Sequence, residues 1–430
     1  MYIKEILILF TIFVGLLFTY FNLFIIYFSE KIKKKKLDTY PKVSIIVPAY
    51  NEEKNIEETI NSLLNLDYDR DKLEIIVVDD GSKDKTYEIA KKYEGKNVKV
   101  LRKENGGKAS ALNYGLKHAS GEFIVTMDAD SIVPKDALKK MLEYFDEENV
   151  MVVIPSIQVK ERKKFLEMIQ SVEYSYNNFL RTILDKLNSI YVAPGPFSVF
   201  RRKVFDIIGG FDEKNLTEDM EIAMKVLSFG FKIKHCPEVV VKTKAPKSFV
   251  SLLKQRLRWY LGFIENFLVY RKKIADKIAI NLVFSSAILF IILPILNLFV
   301  FLYDMIRSFY LQFLFYYHID FNIKTIFEYS ISNYHNIFGN LLVEYLSRGF
   351  FLLFYNIILF LIFLFFILKS WKIEKEGSKI SLFIYSFVYI FMYSIFWIIA
   401  IYYKIFGKEL RWGGVVWKNS LINKIKNGNK

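Results

Sequence analysis

The sequence predicts an α/β domain on a mostly parallel sheet, set between membrane-crossing runs and bordered by amphipathic interface helices. Three observations predict it. From Val43 onward, short apolar segments of strand length alternate with segments of helical period. Four uncharged runs, Ile6–Phe28, Ile278–Tyr303, Gly349–Leu368 and Ile380–Tyr403, match the roughly 20 residues needed to cross a bilayer. The block between Tyr40 and Ala275 contains no such run and is the size of one large domain.

Composition fits this mixture. The 430 residues are 53% hydrophobic and 17% aromatic, too apolar for an ordinary soluble chain, yet 24% are charged and the mean hydropathy is only +0.22. The first run is longer than a signal-peptide core, lacks a small-residue cleavage pattern and is followed by "KIKKKK" at 31–36, so it reads as an uncleaved anchor. By the positive-inside rule those lysines put the domain on the cytoplasmic face. The same rule is strained at the other end. The tail 404–430 holds seven Lys/Arg against one Glu, and four crossings would place it outside. Either one run is re-entrant or the segment Asp304–Arg348 hides another crossing. The expected divisions are 1–40 for anchor and basic linker, 41–245 for the α/β domain and 246–277 for an interface helix. Residues 278–403 form the membrane region and 404–430 the basic tail.

Several classes are excluded. The net charge of +15 lies beside apolar runs and no aromatic-basic RNA motif accompanies it, which argues against nucleic acid as a partner. One cysteine, Cys236, and four scattered histidines give neither a disulfide framework nor a zinc site.

Within the domain, "VSIIVPAY", "LEIIVVDD", "VKVLRK", "EFIVTMDAD" and "VMVVIPSIQV" are strands, separated by helices beginning near Glu53, Asp84, Gly107 and Pro134. Ligands of such sheets gather at the carboxyl ends of the strands, and here those ends carry "PAYNE", "VDDGS" and "DAD". In extended chain Asp128 and Asp130 would point the same way and repel unless a cation stands between them. A divalent metal is the expected cation, against the plainer alternative of a solvated turn. Apolar stripes from Phe165 to Leu187 and from Phe249 to Phe267, the second through Leu253, Tyr260 and Phe263, predict two amphipathic helices. Core helices and membrane-interface helices share this period; adjacency to Ile278 favours the interface for the second.

Six ordered motifs, "VSIIVPAYNEEKNIEETINSLL", "IIVVDDGSKDKT", "NGGKASALNYGL", "TMDAD", "LTEDMEIAMKVLSFGF" and "QRLRW", resemble those of the inverting, membrane-bound GT-A glycosyltransferases that polymerise β-linked sugars. Poly-N-acetylglucosamine synthases come first among these, with cellulose, chitin and hyaluronan synthases as relatives. The resemblance spans about Lys42 to Phe263. It implies a Rossmann-like GT-A domain, a UDP-sugar donor with UDP-N-acetylglucosamine foremost, and Mg²⁺ or Mn²⁺ as cofactor.

The resemblance also implies roles. Asp128 and Asp130 would hold the metal, Asp130 the more directly, while diphosphate oxygens and water complete the shell. Asp128 would face the donor as well. At Asp79 and Asp80 a carboxylate can accept the imide hydrogen of uracil, or simply build a turn; the resemblance favours Asp80 for the base. Pro48, Ala49, Tyr50 and Glu52 would form the other side of that pocket. Lys108, after two glycines at a helix start, would meet phosphate together with backbone amides. Thr217 reads as an N-cap, with Glu218 and Asp219 in the first helical turn. By resemblance Asp219 is the base that an inverting transfer requires, and Glu218 stands on the acceptor side. No motif supplies the second, nucleophilic carboxylate of a retaining reaction. Gln255, Arg258 and Trp259 share a helix face; Trp259 would stack on an acceptor sugar and Arg258 or Arg256 would meet the leaving diphosphate. A membrane-surface aromatic belt with snorkelling arginines is the plainer account of those residues.

The expected activity is processive transfer to a growing polysaccharide. The alternatives are addition of one sugar to a lipid-linked acceptor, or a transporter or scaffold with an inactive nucleotide-binding domain. Intact carboxylates argue against the last. Membrane lipids are expected partners. Only one crossing precedes the domain and four make a thin channel wall, so secretion would need a membrane partner or a homo-oligomer. No gating-loop motif of the cellulose synthase kind follows the third run, which disfavours cellulose.

Overall fold

The computed structural model describes residues 37, 39–95, 97–274, scattered positions between 299 and 368, 379–385 and 390–417. The chain divides into two compact units. One comprises Phe28–Leu282 and Lys369–Lys430 and holds every feature discussed below. In the other, Met1–Tyr27 with Val283–Leu368, the described residues are short helical pieces with exposed apolar side chains such as Phe309 and Phe313.

Seven strands form the main sheet: β1 Val43–Ala49, β2 Leu73–Asp79, β3 Val98–Arg102, β4 Phe123–Thr126, β5 Val150–Val159, β6 Ser198–Arg201 and β7 Lys232–Thr243. Their order is β3-β2-β1-β4-β6-β5-β7. All neighbours are parallel except β6, which runs antiparallel to both β4 and β5. The expected mostly parallel α/β sheet is therefore present. β6 and β7 are absent from the strands expected. Ser198–Arg201 has four residues and little periodicity, and β7 carries Pro237 within a register shift that splits its pairing with β5.

β1 and β2 are apolar on both faces because helices cover both, and each is buried along its whole length. Full burial of side chains such as Ile45, Ile75 and Val77 contributes about 1.5–3 kcal/mol each. The covering helices are α1 Ile56–Leu64, α2 Thr86–Lys91, α3 Lys108–His118, α4 Ala137–Leu142, α5 Phe165–Lys186, α6 Lys203–Ile208, α7 Glu218–Ser228 and α8 Phe249–Tyr270. Because β1, β2 and β4 are parallel, the PAYNE, VDDGS and DAD segments leave the sheet on one rim.

α5 buries Ile169, Val172 and Ile183 of the stripe expected for it. Phe165 is exposed, whereas polar Glu167, Gln170, Glu173 and Asn178 are buried. Partners make this burial tolerable: Asn178 pairs with both the N–H and the C=O of Ile157, at 2.9 Å each, and Gln170 donates Nε2 to Pro246 O at 2.8 Å.

After residue 378 come α9 Lys379–Ile384, α10 Ile390–Ile405 and a hairpin of β8 Leu410–Trp412 with β9 Val415–Trp417. α10 covers the apolar stripe of α8. Tyr260 stacks on Trp397 with centroids 4.1 Å apart, and Phe263 meets the same ring edge-on. That part of α8 thus faces another helix. Among the described residues no helix is long and apolar enough to cross a membrane. The run Ile6–Phe28 lies outside the described residues, Ile278–Tyr303 and Gly349–Leu368 lie almost wholly outside them, and Ile380–Tyr403 is described in α9, Tyr385 and α10.

Candidate active site at the sheet rim

β4 stops at Thr126, so Asp128 and Asp130 lie in the turn beyond it instead of in extended chain. The positive charge that meets Asp128 is an ammonium. Lys108, the first residue of α3, sets its ammonium 2.5 Å from Asp128 Oδ1 and 3.1 Å from Glu218 Oε1. Burial works against that charge, but Asp128, Glu218 and Asp219 outweigh it and hold the ammonium above its usual range. The loop 192–197 closes tightly over this pair: a Cβ on Gly195 would overlap Lys108 Nζ and both oxygens of Asp128. Neither the Gly195 loop nor its proximity to Lys108 was expected; the "PGP" spelling signals a turn without saying what it faces.

Asp130 is half-buried and accepts from the hydroxyls of Ser131 and Thr243, each at 3.1 Å. Burial first, then the charge of Asp128, pushes its carboxyl above the usual range. Glu52 is raised too, by burial, with Asp130 and Asp128 contributing against its bond from Asn55. Charge is thus disfavoured at this corner, which a dication would relieve. Among the described residues no three metal-ligating side chains come together. Asp128 and Asp130 fit a hard cation of the Mg²⁺ type, which binds one or two carboxylates and completes its shell from phosphate and water.

Asp219 follows Glu218 at the start of α7. Burial and Glu218 push its carboxyl up to about 6, with Asp128 adding and Arg258 and Lys108 opposing. Glu218 moves the other way: burial disfavours its charge, but Lys108 and Arg258 prevail and hold it below the usual carboxylate range. Two adjacent acids are driven apart in proton affinity, the pattern that separates an ionised anchor from a titratable base.

Three expected residues stand differently from the expectation. Asp80 is saturated: its carboxylate accepts from Lys103 (2.8 Å), from Gly106 N (3.1 and 3.3 Å) and from Gly107 N (2.8 Å). The glycine amides expected to meet phosphate therefore bind Asp80, and Lys108 binds carboxylates. Asp79 is buried, ion-paired with Arg102 (3.1 Å) and bonded to Ser82 N (3.3 Å). Arg256 is fully buried, 2.5 Å from Glu173 of α5, and donates to Gln255 Oε1 at 2.6 Å. Its guanidinium lies over the Trp259 ring at 4.1 Å, so it braces Trp259. Arg258 is the arginine near the acids. It donates to Leu216 O (3.4 Å) and lies 4.9 Å from the Trp412 ring.

Trp412 belongs to the β8–β9 hairpin, whose tip reaches the expected nucleoside pocket. Asn105 Nδ2 donates to Gly413 O at 3.3 Å, and a Cβ on Gly414 would stand 2.9 Å from the Tyr50 hydroxyl. Pro48 is buried in β1 and Tyr50 is half-buried beneath this tip. The hairpin comes from 308 residues further along the chain, a distance no local pattern spans.

A seven-stranded, mostly parallel sheet with its acidic loops on one rim is an architecture of the GT-A type. Residues 44–209 match the model of glycosyl transferase family 2. It is 32% identical over 253 residues to the poly-beta-1,6-N-acetyl-D-glucosamine synthase of Staphylococcus aureus (strain COL), covering 58% of this chain and 61% of that protein. The chain thus spans less than two thirds of that relative. It is 29% identical over 413 residues to the probable glycosyltransferase YdaM of Bacillus subtilis (strain 168), 92% of this chain and 90% of the other. Among solved structures, the mannosyltransferase PcManGT from Pyrobaculum calidifontis, in complex with GDP-Man and Mn²⁺, matches with a TM-score of 0.54 and 25% identity, over 66% of this chain and 81% of that one.

Proposed function

We propose that this chain is an inverting glycosyltransferase of the cytoplasmic membrane face that adds N-acetylglucosamine from a UDP-sugar to a growing β-linked polysaccharide. The observation that carries the reading is Asp219: a carboxyl raised to about 6, beside an ion-paired Glu218–Lys108–Asp128 cluster at the sheet rim. A base near neutrality serves an inverting transfer, in which an acceptor hydroxyl oxygen bonds to the anomeric carbon. Asp219 takes the hydroxyl proton as the bond to the diphosphate oxygen breaks, and the nucleoside diphosphate leaves with the electron pair. Lys108 and Arg258 supply positive charge nearby, and Trp259, braced by Arg256, offers the acceptor an aromatic face. When bound at Asp128 and Asp130, Mg²⁺ or Mn²⁺ would neutralise charge on the diphosphate.

The polymer and its sugar are supported by the synthase in S. aureus, to which this chain is similar over 253 residues. Attachment to lipid is supported by the apolar runs and by α10, whose outer residues Ile395, Ile398, Tyr402 and Ile405 are exposed. The mannosyltransferase match keeps GDP-mannose as an alternative donor, and transfer of one sugar to a lipid-linked acceptor is the second reading of the activity.

The test is incubation of purified full-length protein with Mn²⁺ and a panel of UDP- and GDP-sugars, measuring nucleotide release and product mass. Metal-dependent UDP release with a ladder of N-acetylglucosamine additions is expected, abolished by EDTA and by Asp130→Ala. Release of GDP alone, or undiminished turnover in excess EDTA, would overturn the reading.

A further inference from the structure

α8 touches the acidic turn where it has no side chain. A Cβ on Gly262 would overlap the hydroxyl, methyl and Cβ of Thr217, so glycine lets the two helices meet. One turn on, the fully buried Asn266 donates Nδ2 to Thr217 Oγ1 (3.0 Å) and to Asn215 Oδ1 (3.3 Å), and accepts from Asn215 Nδ2 (2.7 Å). Asn215 Oδ1 also accepts from Thr217 N at 3.0 Å. A further turn along, the Tyr270 hydroxyl donates to buried Glu221. The contacts therefore repeat every four residues on both helices, Thr217 with Asn266 and Glu221 with Tyr270, each pair one helical turn apart on a single face.

Thr217 occupies the N-cap of α7, where a threonine ordinarily turns its oxygen onto an amide of the first turn. Here the side chain makes no capping bond. Its hydroxyl oxygen is taken up by Asn266 instead, while Met220 N is met by Thr217 O (3.2 Å) and Asp219 Oδ1 (2.9 Å). The conformation that presents Glu218 and Asp219 is thus held from α8 and not by the helix's own cap. The same α8 carries Arg258.

We infer that Asn266 is a positioning residue for Asp219: by holding the Thr217 hydroxyl and Asn215 together, it keeps the turn that aims the base. This rests on Asp219 being the base.

The experiment measures kcat, donor KM and melting temperature on full-length protein for Thr217→Val, Thr217→Ser, Asn266→Ala and Asp219→Asn. Misplacing a base by a fraction of an ångström should lower kcat by about 10- to 100-fold in Thr217→Val and Asn266→Ala, with donor KM within about threefold. Thr217→Ser, which keeps the hydroxyl, should stay within about threefold of wild type. Should Asn266→Ala fail to fold, Thr217→Val decides. Wild-type kcat in Thr217→Val, or a Thr217→Ser as damaged as Thr217→Val, overturns the positioning role while an inactive Asp219→Asn leaves the base in place. Full transfer by Asp219→Asn removes both.

Discussion

Asp219 and Glu218 are neighbours in sequence with opposite proton affinities, and the cause is which cation each faces. Lys108 lies 3.1 Å from Glu218, whereas Asp219 has burial and Glu218 against its charge and receives only weaker help from Arg258 and Lys108. A raised carboxyl is ionised only above its shifted value, so transfer should fall as pH drops through about 6, where Asp219 takes up a proton. Asp219→Asn should keep UDP affinity within a few-fold and lower transfer by about 10²-fold or more. The residual activity should no longer change near pH 6. Equal loss of UDP binding and transfer would make the residue a donor contact.

At the scale of elements, the rim is assembled by close approaches that glycine permits. Gly195 brings the 192–197 loop against the Lys108–Asp128 pair. A methyl there would have to displace the ends of two side chains that hold each other in an ion pair. Gly195→Ala should separate them and reduce turnover by roughly 10- to 100-fold, as misplacement within a site does, while the folded state persists. Circular dichroism and a melting curve beside the kinetics check this; unaltered kcat would show that the loop adjusts freely. The α5 helix teaches the complementary lesson: its buried polar face is held by Arg256 on α8 and by the Ile157 backbone, so it joins α8 to the sheet.

For the whole molecule, the question is whether the product is retained between additions. Trp259 is half-buried, and Arg256, itself held by Glu173, fixes its ring from one side. A rigid ring of this kind contributes about 0.5–1.5 kcal/mol to sugar stacking beyond area burial, roughly a two- to ten-fold change in retention. With limiting acceptor, wild type should therefore yield long chains, and Trp259→Ala should shorten the product distribution more than it slows donor hydrolysis. Mass spectrometry of the products checks both. A wild-type product that stops at one sugar would instead favour the lipid-linked acceptor.

The sequence by itself determined the α/β alternation, five of the seven sheet strands and the gathering of PAYNE, VDDGS and DAD on one rim, because period and strand direction are local properties. It also singled out Lys108, Asp128, Glu218 and Asp219 as residues of one chemistry. Tertiary structure decided their partners. That Lys108 binds Asp128 and Glu218, that Asp80 is filled by the glycine amides, and that Arg256 is buried against Glu173 while Arg258 faces the acids depend on contacts between segments 20 to 110 residues apart. The hairpin tip over Tyr50 and the hold of Asn266 on Thr217 are of the same kind. A side chain's chemistry is written in its own residue, but its charge state and orientation are set by neighbours that only the folded chain brings within reach.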